Sequence, residues 1–238
     1  MDRIKKLLNT KKIAMITCYD ATFASFLEKN QCDVILVGDS LGMTIKGQKN
    51  THDVSMDEII YHTKCVRSGA QKKPIISDMP IHSYQSKKEA LKNAERILKA
   101  GADMVKIEGD EDVYEIITHL VKNHIRVCGH IGYTPQKIKQ FKKNKLEFLA
   151  KAKSLEVCGI SMLVLSKTGA EIDRLITENI NIPTISFRSS GECNGEVEIL
   201  YDLLGLSNNL KSAYDRTTRK DSMTLKNPIK HFIKKRKR

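Results

Sequence analysis

SKKEALKNAERILKAGADMVKIEG, residues 86–109, holds a helix, its stop and the strand that follows it. Ser86, with Glu89 three positions on, is a capping box that starts a helix. Ala90, Leu91, Ala94, Ile97 and Leu98 then recur at helical spacing, and Gly101 ends the run. Beyond it, Asp103–Glu108 reads as a short buried strand. The same helix-into-strand unit recurs outward in both directions. Candidate strands are Ile13–Thr17, Asp33–Val37, Pro74–Asp78, Asp103–Glu108, Ile125–Cys128, Ser161–Leu165, Ile182–Phe187 and Glu196–Leu200. Between them, Ser55 with Asp57 and Glu58 starts a helix carrying Ile59, Ile60 and Val66, and another stops at Cys158-Gly159. Eight strands alternating with helices predict an α/β fold, a single-domain (β/α)8 TIM barrel. A doubly wound open sheet is the runner-up, but the first strand runs into Thr-Cys-Tyr-Asp and not into a glycine-rich dinucleotide fingerprint.

Bulk composition agrees with one folded domain. The chain has 238 residues, 40% of them apolar, enough for one substantial core. No apolar run approaches the ~20 residues that span a bilayer. The N-terminal MDRIKKLLNTKK reads as a short surface helix, without a cleavage signal, so the expected location is the cytoplasm. The formal charge of +13 is concentrated: residues 211–238 hold eleven Lys or Arg against Asp215 and Asp221. Residues 1–210 therefore read as the barrel and 211–238 as a basic C-terminal tail. Such a tail binds RNA or acidic surfaces weakly at most, and nucleic acid is not the expected partner of the barrel. The six cysteines never form a C-x-x-C pair, which is reduced usage and not a disulfide or zinc framework.

In a (β/α)8 barrel the chemistry lies at the C-terminal strand ends. Those ends carry Tyr19 and Asp20, Asp39 and Ser40, Asp78, Lys106 and Glu108, His130, Ser166, and Arg188. A single aspartate after a strand is more often a helix cap, and a single histidine is as often a core residue. The collection is harder to explain so. Lys106 and Glu108, two apart in VKIEG, share one side of their strand. Asp39, Asp78 and Glu108, from three strands, are what a hard cation such as Mg2+ requires.

Nine segments carry a resemblance to a known family: ITCYDATFA, DVILVGDSLGM, IIYHTKCVRSGA, SDMPIHSY, NAERILKAGADMVKIEG, RVCGHIGYTPQ, IPTIS, ECNGEV and YDLLGL, in order, the similarity covering roughly residues 11–206. The chain resembles the ketopantoate (3-methyl-2-oxobutanoate) hydroxymethyltransferases of pantothenate and coenzyme A synthesis. That resemblance implies a Mg2+-dependent aldol-type transfer on a TIM barrel, with 3-methyl-2-oxobutanoate as acceptor and 5,10-methylenetetrahydrofolate as one-carbon donor. It assigns Asp39, Asp78 and Glu108 to the metal, and Asp39, Ser40, Asp78 and Lys106 to the substrate. It places Lys106 and His130 among the catalytic residues, and implies a homo-oligomer, a decamer in the family.

Three features depart from the family pattern. Its base, a glutamate at the end of strand six, is Ser166 here, in MLVLSKTGA. Lys167 beside it has the wrong direction by strand parity, and Glu171 lies in the next helix. The glycine-rich loop after TPQ becomes KIKQFKKNKLEF, and G-I-G-A-G after strand seven becomes SFRSSG, where Phe187 and Arg188 crowd a ligand's approach. Three readings stay open on sequence: a working transferase, a homologue that keeps metal and keto-acid binding with little turnover, and a Mg2+-dependent enzyme acting on another keto acid.

Overall fold

A computed structural model of the chain describes Ile4, Leu7 and residues 12–136, 144–189 and 191–206. The tail 211–238 and most of the loop after TPQ lie outside the described residues. The elements run β1 (Ile13–Thr17), α1 (Ala21–Lys29), β2 (Val34–Val37), α2 (Leu41–Thr44), α3 (Met56–Gly69), β3 (Ile75–Asp78), α4 (Lys87–Lys99), β4 (Met104–Glu108), a 3-10 turn (Glu111–Val113), α5 (Tyr114–Lys122), β5 (Val127–Gly132), α6 (Lys145–Val157), β6 (Met162–Ser166), α7 (Ala170–Asn179), β7 (Thr184–Phe187), β8 (Gly195–Glu198) and α8 (Leu200–Leu203). All eight strands pair in chain order and β8 closes on β1, each pair parallel as in Ile13↔Gly195. The expected barrel is present, and closure excludes the open sheet.

Strand parity divides the core in two. Val34, Leu36, Ile76, Met104, Cys128, Met162, Val164, Ile185 and Val197 form one cluster, the barrel interior. Their chain neighbours, among them Ile35, Ile75, Val105, Ile107, Leu163 and Leu165, pack outward in a second cluster with helix residues such as Ile59, Ala94, Ile97 and Ile117. The barrel interior is thus filled at its middle, and functional groups have room only above that filling.

Local signals set most boundaries. Ser86 Oγ accepts from Glu89 N at 3.2 Å, but Glu89 accepts from Gln85 N, so only half of the expected box forms there. The complete box opens α3, where Ser55 N donates to Glu58 Oε2 at 2.8 Å and Glu58 N to Ser55 Oγ at 3.2 Å. Two expectations are corrected. Ile4 and Leu7 are helical and buried within the barrel-interior cluster, so this part of the N-terminus is not a surface helix. The fifth strand runs beyond Cys128 to Gly132. Gly129 and Gly132 are poor strand formers alone, yet in a closed barrel this segment finds a ladder on both sides, Glu108↔His130 and Gly132↔Ser166. No described helix is long and apolar enough to cross a membrane, and the six cysteines are all free thiols.

Candidate active site

Lys106 and Glu108 follow Met104 on the inward side of β4 and rise above the interior cluster. The parallel register sets Asp78 beside Lys106 and His130 beside Glu108. Lys106 Nζ lies 2.7 Å from Asp78 Oδ1 and 3.8 Å from Glu108 Oε1, all three side chains nearly fully buried. Burial opposes the ammonium charge, but Asp78, Glu108 and Asp39 outweigh it and push the Lys106 pKa up. Glu108 is also buried, yet its pKa falls to about 2, because His130, Lys106 and the Gln136 amide stabilise the carboxylate. His130 Nδ1 stands 2.9 Å from Glu108 Oε1 and donates to it. The buried His130 Nε2 has no hydrogen-bond partner among the described residues and belongs to a residue that lines the cavity above.

Asp39 and Ser40 leave β2 between two glycines. Neither follows the ordinary capping explanation: Ser40 makes no side-chain bond to the α2 backbone. Its Oγ instead pairs with the Tyr19 hydroxyl at 2.8 Å, which also donates to Thr17 Oγ1 at 3.1 Å. Asp39 N donates to Asp78 Oδ2 at 3.0 Å. Gln136 Nε2 donates to Asp39 Oδ2 at 2.7 Å and to Met79 O at 3.1 Å. Gln136 N donates to Glu108 Oε2 at 3.1 Å, and its Oε1 accepts from the Tyr84 hydroxyl at 2.6 Å. Gln136 and Tyr84 thus hold the acidic floor together. Both lie inside quoted motifs, TPQ and HSY, but no local pattern marks them as partners of Asp39. Asp20, by contrast, is a helix cap, its Oδ1 accepting from Phe23 N at 2.9 Å.

Burial first, then Asp78 and Glu108, raise the Asp39 pKa well above the ordinary carboxylate range. Three acids therefore share a buried floor with one ammonium. Oxygen-only donors with a surplus of acid fit a hard divalent cation. No three His, Cys, Asp or Glu side chains among the described residues are disposed around one ion, however. Both oxygens of Asp78 and both of Glu108 already accept protein donors. A cation at this floor would compete with Lys106 for Asp78 and with Gln136 for Asp39.

Above the floor opens a cavity of about 430 Å³, lined by Asp39, Ser40, Asp78, Lys106, Glu108 and His130 below and by Tyr133, Lys167, Phe187 and Arg188 at its mouth. Ser166 follows Met162 and Val164 on the inward side of β6, fully buried, its Oγ without a partner among the described residues. Gly132 lets β5 close on this point: at φ +98° a Cβ there would stand 2.2 Å from Ser166 O. The parity argument against Lys167 is corrected. At φ +54° it has left the strand, and it lines the cavity. Glu171 does not reach the site; it is exposed and ion-paired with Lys145. Arg188, at φ +48°, pairs with Asp202 at 2.8 Å.

The ketopantoate hydroxymethyltransferase family model matches residues 1–238, extending through the basic tail. A 3-methyl-2-oxobutanoate hydroxymethyltransferase of Buchnera aphidicola subsp. Schizaphis graminum is 40% identical, over 97% of this chain and 92% of that protein. One from Thermotoga neapolitana is 42% identical over 87% of this chain and 80% of its own. Among solved structures, a phosphonopyruvate hydrolase superposes with a TM-score of 0.71 at 9% identity, covering 99% of this chain and 95% of that one. A phosphoenolpyruvate phosphomutase from Streptomyces platensis subsp. rosaceus gives 0.70 at 13%, over 85% and 82%. At such identities the structural likeness is one of fold. The sequence matches reach further, and on them this chain belongs to the ketopantoate hydroxymethyltransferase family of enzymes.

Proposed function

We propose that the protein transfers a one-carbon unit from 5,10-methylenetetrahydrofolate to 3-methyl-2-oxobutanoate, giving ketopantoate. The observation that carries this reading is the buried Asp39–Asp78–Lys106–Glu108–His130 floor beneath a cavity of about 430 Å³, in a barrel of this family. Asp39 and Asp78, with Glu108 in the same anionic set, are the residues we assign to Mg2+, which supplies Lewis-acid polarisation of the keto acid when bound. Lys106, kept charged by its acidic neighbours, offsets the negative charge of the bound keto acid. His130 Nε2, without a partner among the described residues, belongs to a ring that the bond from Nδ1 to Glu108 orients at the cavity floor. Ser40, fixed by Tyr19, adds a hydroxyl oxygen to the same wall of the cavity.

The reaction then requires loss of the C3 proton, formation of a bond from C3 to the methylene carbon, cleavage of that carbon's bonds to both folate nitrogens, and a water that supplies the hydroxyl. The nitrogens take up the two protons and tetrahydrofolate leaves. At the end of β6, Ser166 provides no basicity near neutral pH. A positioned general base is worth roughly 10²–10⁴-fold, so turnover is expected at least ~10²-fold below a relative with glutamate there. The deciding experiment incubates purified protein with Mg2+ and the keto acid in heavy water to follow C3 exchange, then adds the folate and measures ketopantoate. Exchange and slow ketopantoate formation support the transferase. Exchange of this keto acid without any ketopantoate would favour a binding homologue, and turnover of a different keto acid would replace the substrate. Light scattering checks the homo-oligomer, which we propose on family grounds alone.

A further inference from the structure

The mouth of the cavity carries four side chains that the floor chemistry does not use. Tyr133, Lys167, Phe187 and Arg188 leave the ends of β5, β6 and β7, three neighbouring strands, and all line the cavity. Lys167 Nζ stands 3.7 Å from the Tyr133 ring centroid, and Arg188 Cζ 5.3 Å from that of Phe187. These are two cation-on-ring pairs side by side. Backbone bonds lock their spacing: Tyr133 N donates to Ser166 O at 2.9 Å, and Lys167 N to Phe187 O at 3.1 Å. Both cations take left-handed backbone, φ +54° and +48°, a conformation that costs a non-glycine residue about 1 kcal/mol or more. The strand exits are therefore bent in the direction that brings these two side chains to the cavity.

Charge at the mouth is unbalanced. The acids that line the cavity, Asp39, Asp78 and Glu108, all lie on the floor. Arg188 has Asp202 at 2.8 Å, whereas Lys167 has no carboxylate within ion-pair distance among the described residues. Burial and then the nearby Arg188 guanidinium lower the Lys167 pKa, the electrostatic condition that a bound anion relieves. A compact anion such as phosphate would use the cations and leave the rings idle. An aromatic ring bearing a carboxylate on a short arm would use both.

We propose that Tyr133, Lys167, Phe187 and Arg188 form a subsite for an aromatic carboxylate, the p-aminobenzoylglutamate portion of the one-carbon donor, with its ring against Phe187 and Tyr133 and its carboxylates at Lys167 and Arg188. This rests on the reading that a reduced folate is the donor. It also reverses the expectation that Phe187 and Arg188 only crowd a ligand.

The test is calorimetric titration of the full-length protein with p-aminobenzoylglutamate, its tri-γ-glutamate form and p-aminobenzoate, for wild type, Lys167→Glu and Lys167→Arg. Glutamate conjugates should bind more tightly than p-aminobenzoate. Affinity should fall about tenfold or more in Lys167→Glu and largely survive in Lys167→Arg, which retains the charge. Titration with 3-methyl-2-oxobutanoate and Mg2+ reports an intact floor and should still show metal-dependent binding in both variants. Equal binding of p-aminobenzoate and its conjugates, unaltered affinity in Lys167→Glu, or no binding at all in wild type overturns the subsite. Ketopantoate assays separate the two ideas: turnover that persists with unaltered donor affinity in Lys167→Glu sinks the subsite alone. Charge-dependent conjugate binding without turnover from any folate sinks the transferase reading and leaves the subsite standing.

Discussion

Lys106→Met removes the one ammonium from the acidic floor and leaves Asp39, Asp78 and Glu108 facing one another. Lys106 is 5% exposed and its Nζ lies 2.7 Å from Asp78. Removing one partner of a buried pair typically costs ~3–5 kcal/mol, and two further acids here place the variant toward the upper end. The sign with pH follows from linkage. In the variant the stranded carboxylates have folded pKa values above their unfolded ones, so the folded state binds more protons and gains stability as pH falls. The wild-type Glu108, lowered from 4.5 to about 2, keeps its contribution throughout the neutral range and loses it as pH falls from about 4.5 to about 2. Urea unfolding in EDTA should therefore show the gap between wild type and variant largest near about pH 8 and smaller near about pH 5. Adding Asp78→Asn to Lys106→Met should recover part of the loss, a coupling that a double-mutant cycle measures. A loss below ~1 kcal/mol, or a gap that widens in acid, would refute the assignment of Lys106 as the counter-charge of this floor.

The other expectations concern the base, the metal and a second buried acid. Ser166→Glu places a carboxylate on the inward side of β6 and should raise C3 exchange by ~10² or more, and unchanged exchange would show that the missing base does not limit the rate. Mg2+ at ~100 times its Kd should stabilise the wild type by ~2.7 kcal/mol in thermal or urea unfolding, and Asp39→Asn should abolish that gain. In EDTA, Asp39→Asn should be at least as stable as wild type, because the raised pKa of Asp39 marks a carboxylate whose charge the fold opposes; a marked loss contradicts this. Glu198, whose buried Oε2 has no partner among the described residues, is raised by burial and Glu196 to about 7 from 4.5, with Asp202 adding and Arg188 opposing. Its contribution should fall as pH rises from about 4.5 to about 7, so Glu198→Gln should raise the unfolding temperature above that window and leave it unchanged below.

Local pattern alone determined the barrel, because its signals act over one to four residues: the Ser55 and Ser86 starts, the Gly101 stop, and the inward pairing of Lys106 with Glu108. The strand ends singled out Asp39, Asp78, His130 and Ser166, and the family resemblance gave them their expected roles. Tertiary structure decided what those groups touch. Gln136 lies 97 positions from Asp39 in the chain, and only closure of the barrel brings its amide to that carboxylate. Parity is a property of extended backbone, so it misjudged Lys167, where a positive φ ends the strand and turns the side chain to the cavity. Composition likewise shortened β5, whose glycines hold strand geometry because both neighbouring strands supply hydrogen bonds. Residue types fix which chemistry is available, and long-range closure fixes which donors meet which acids.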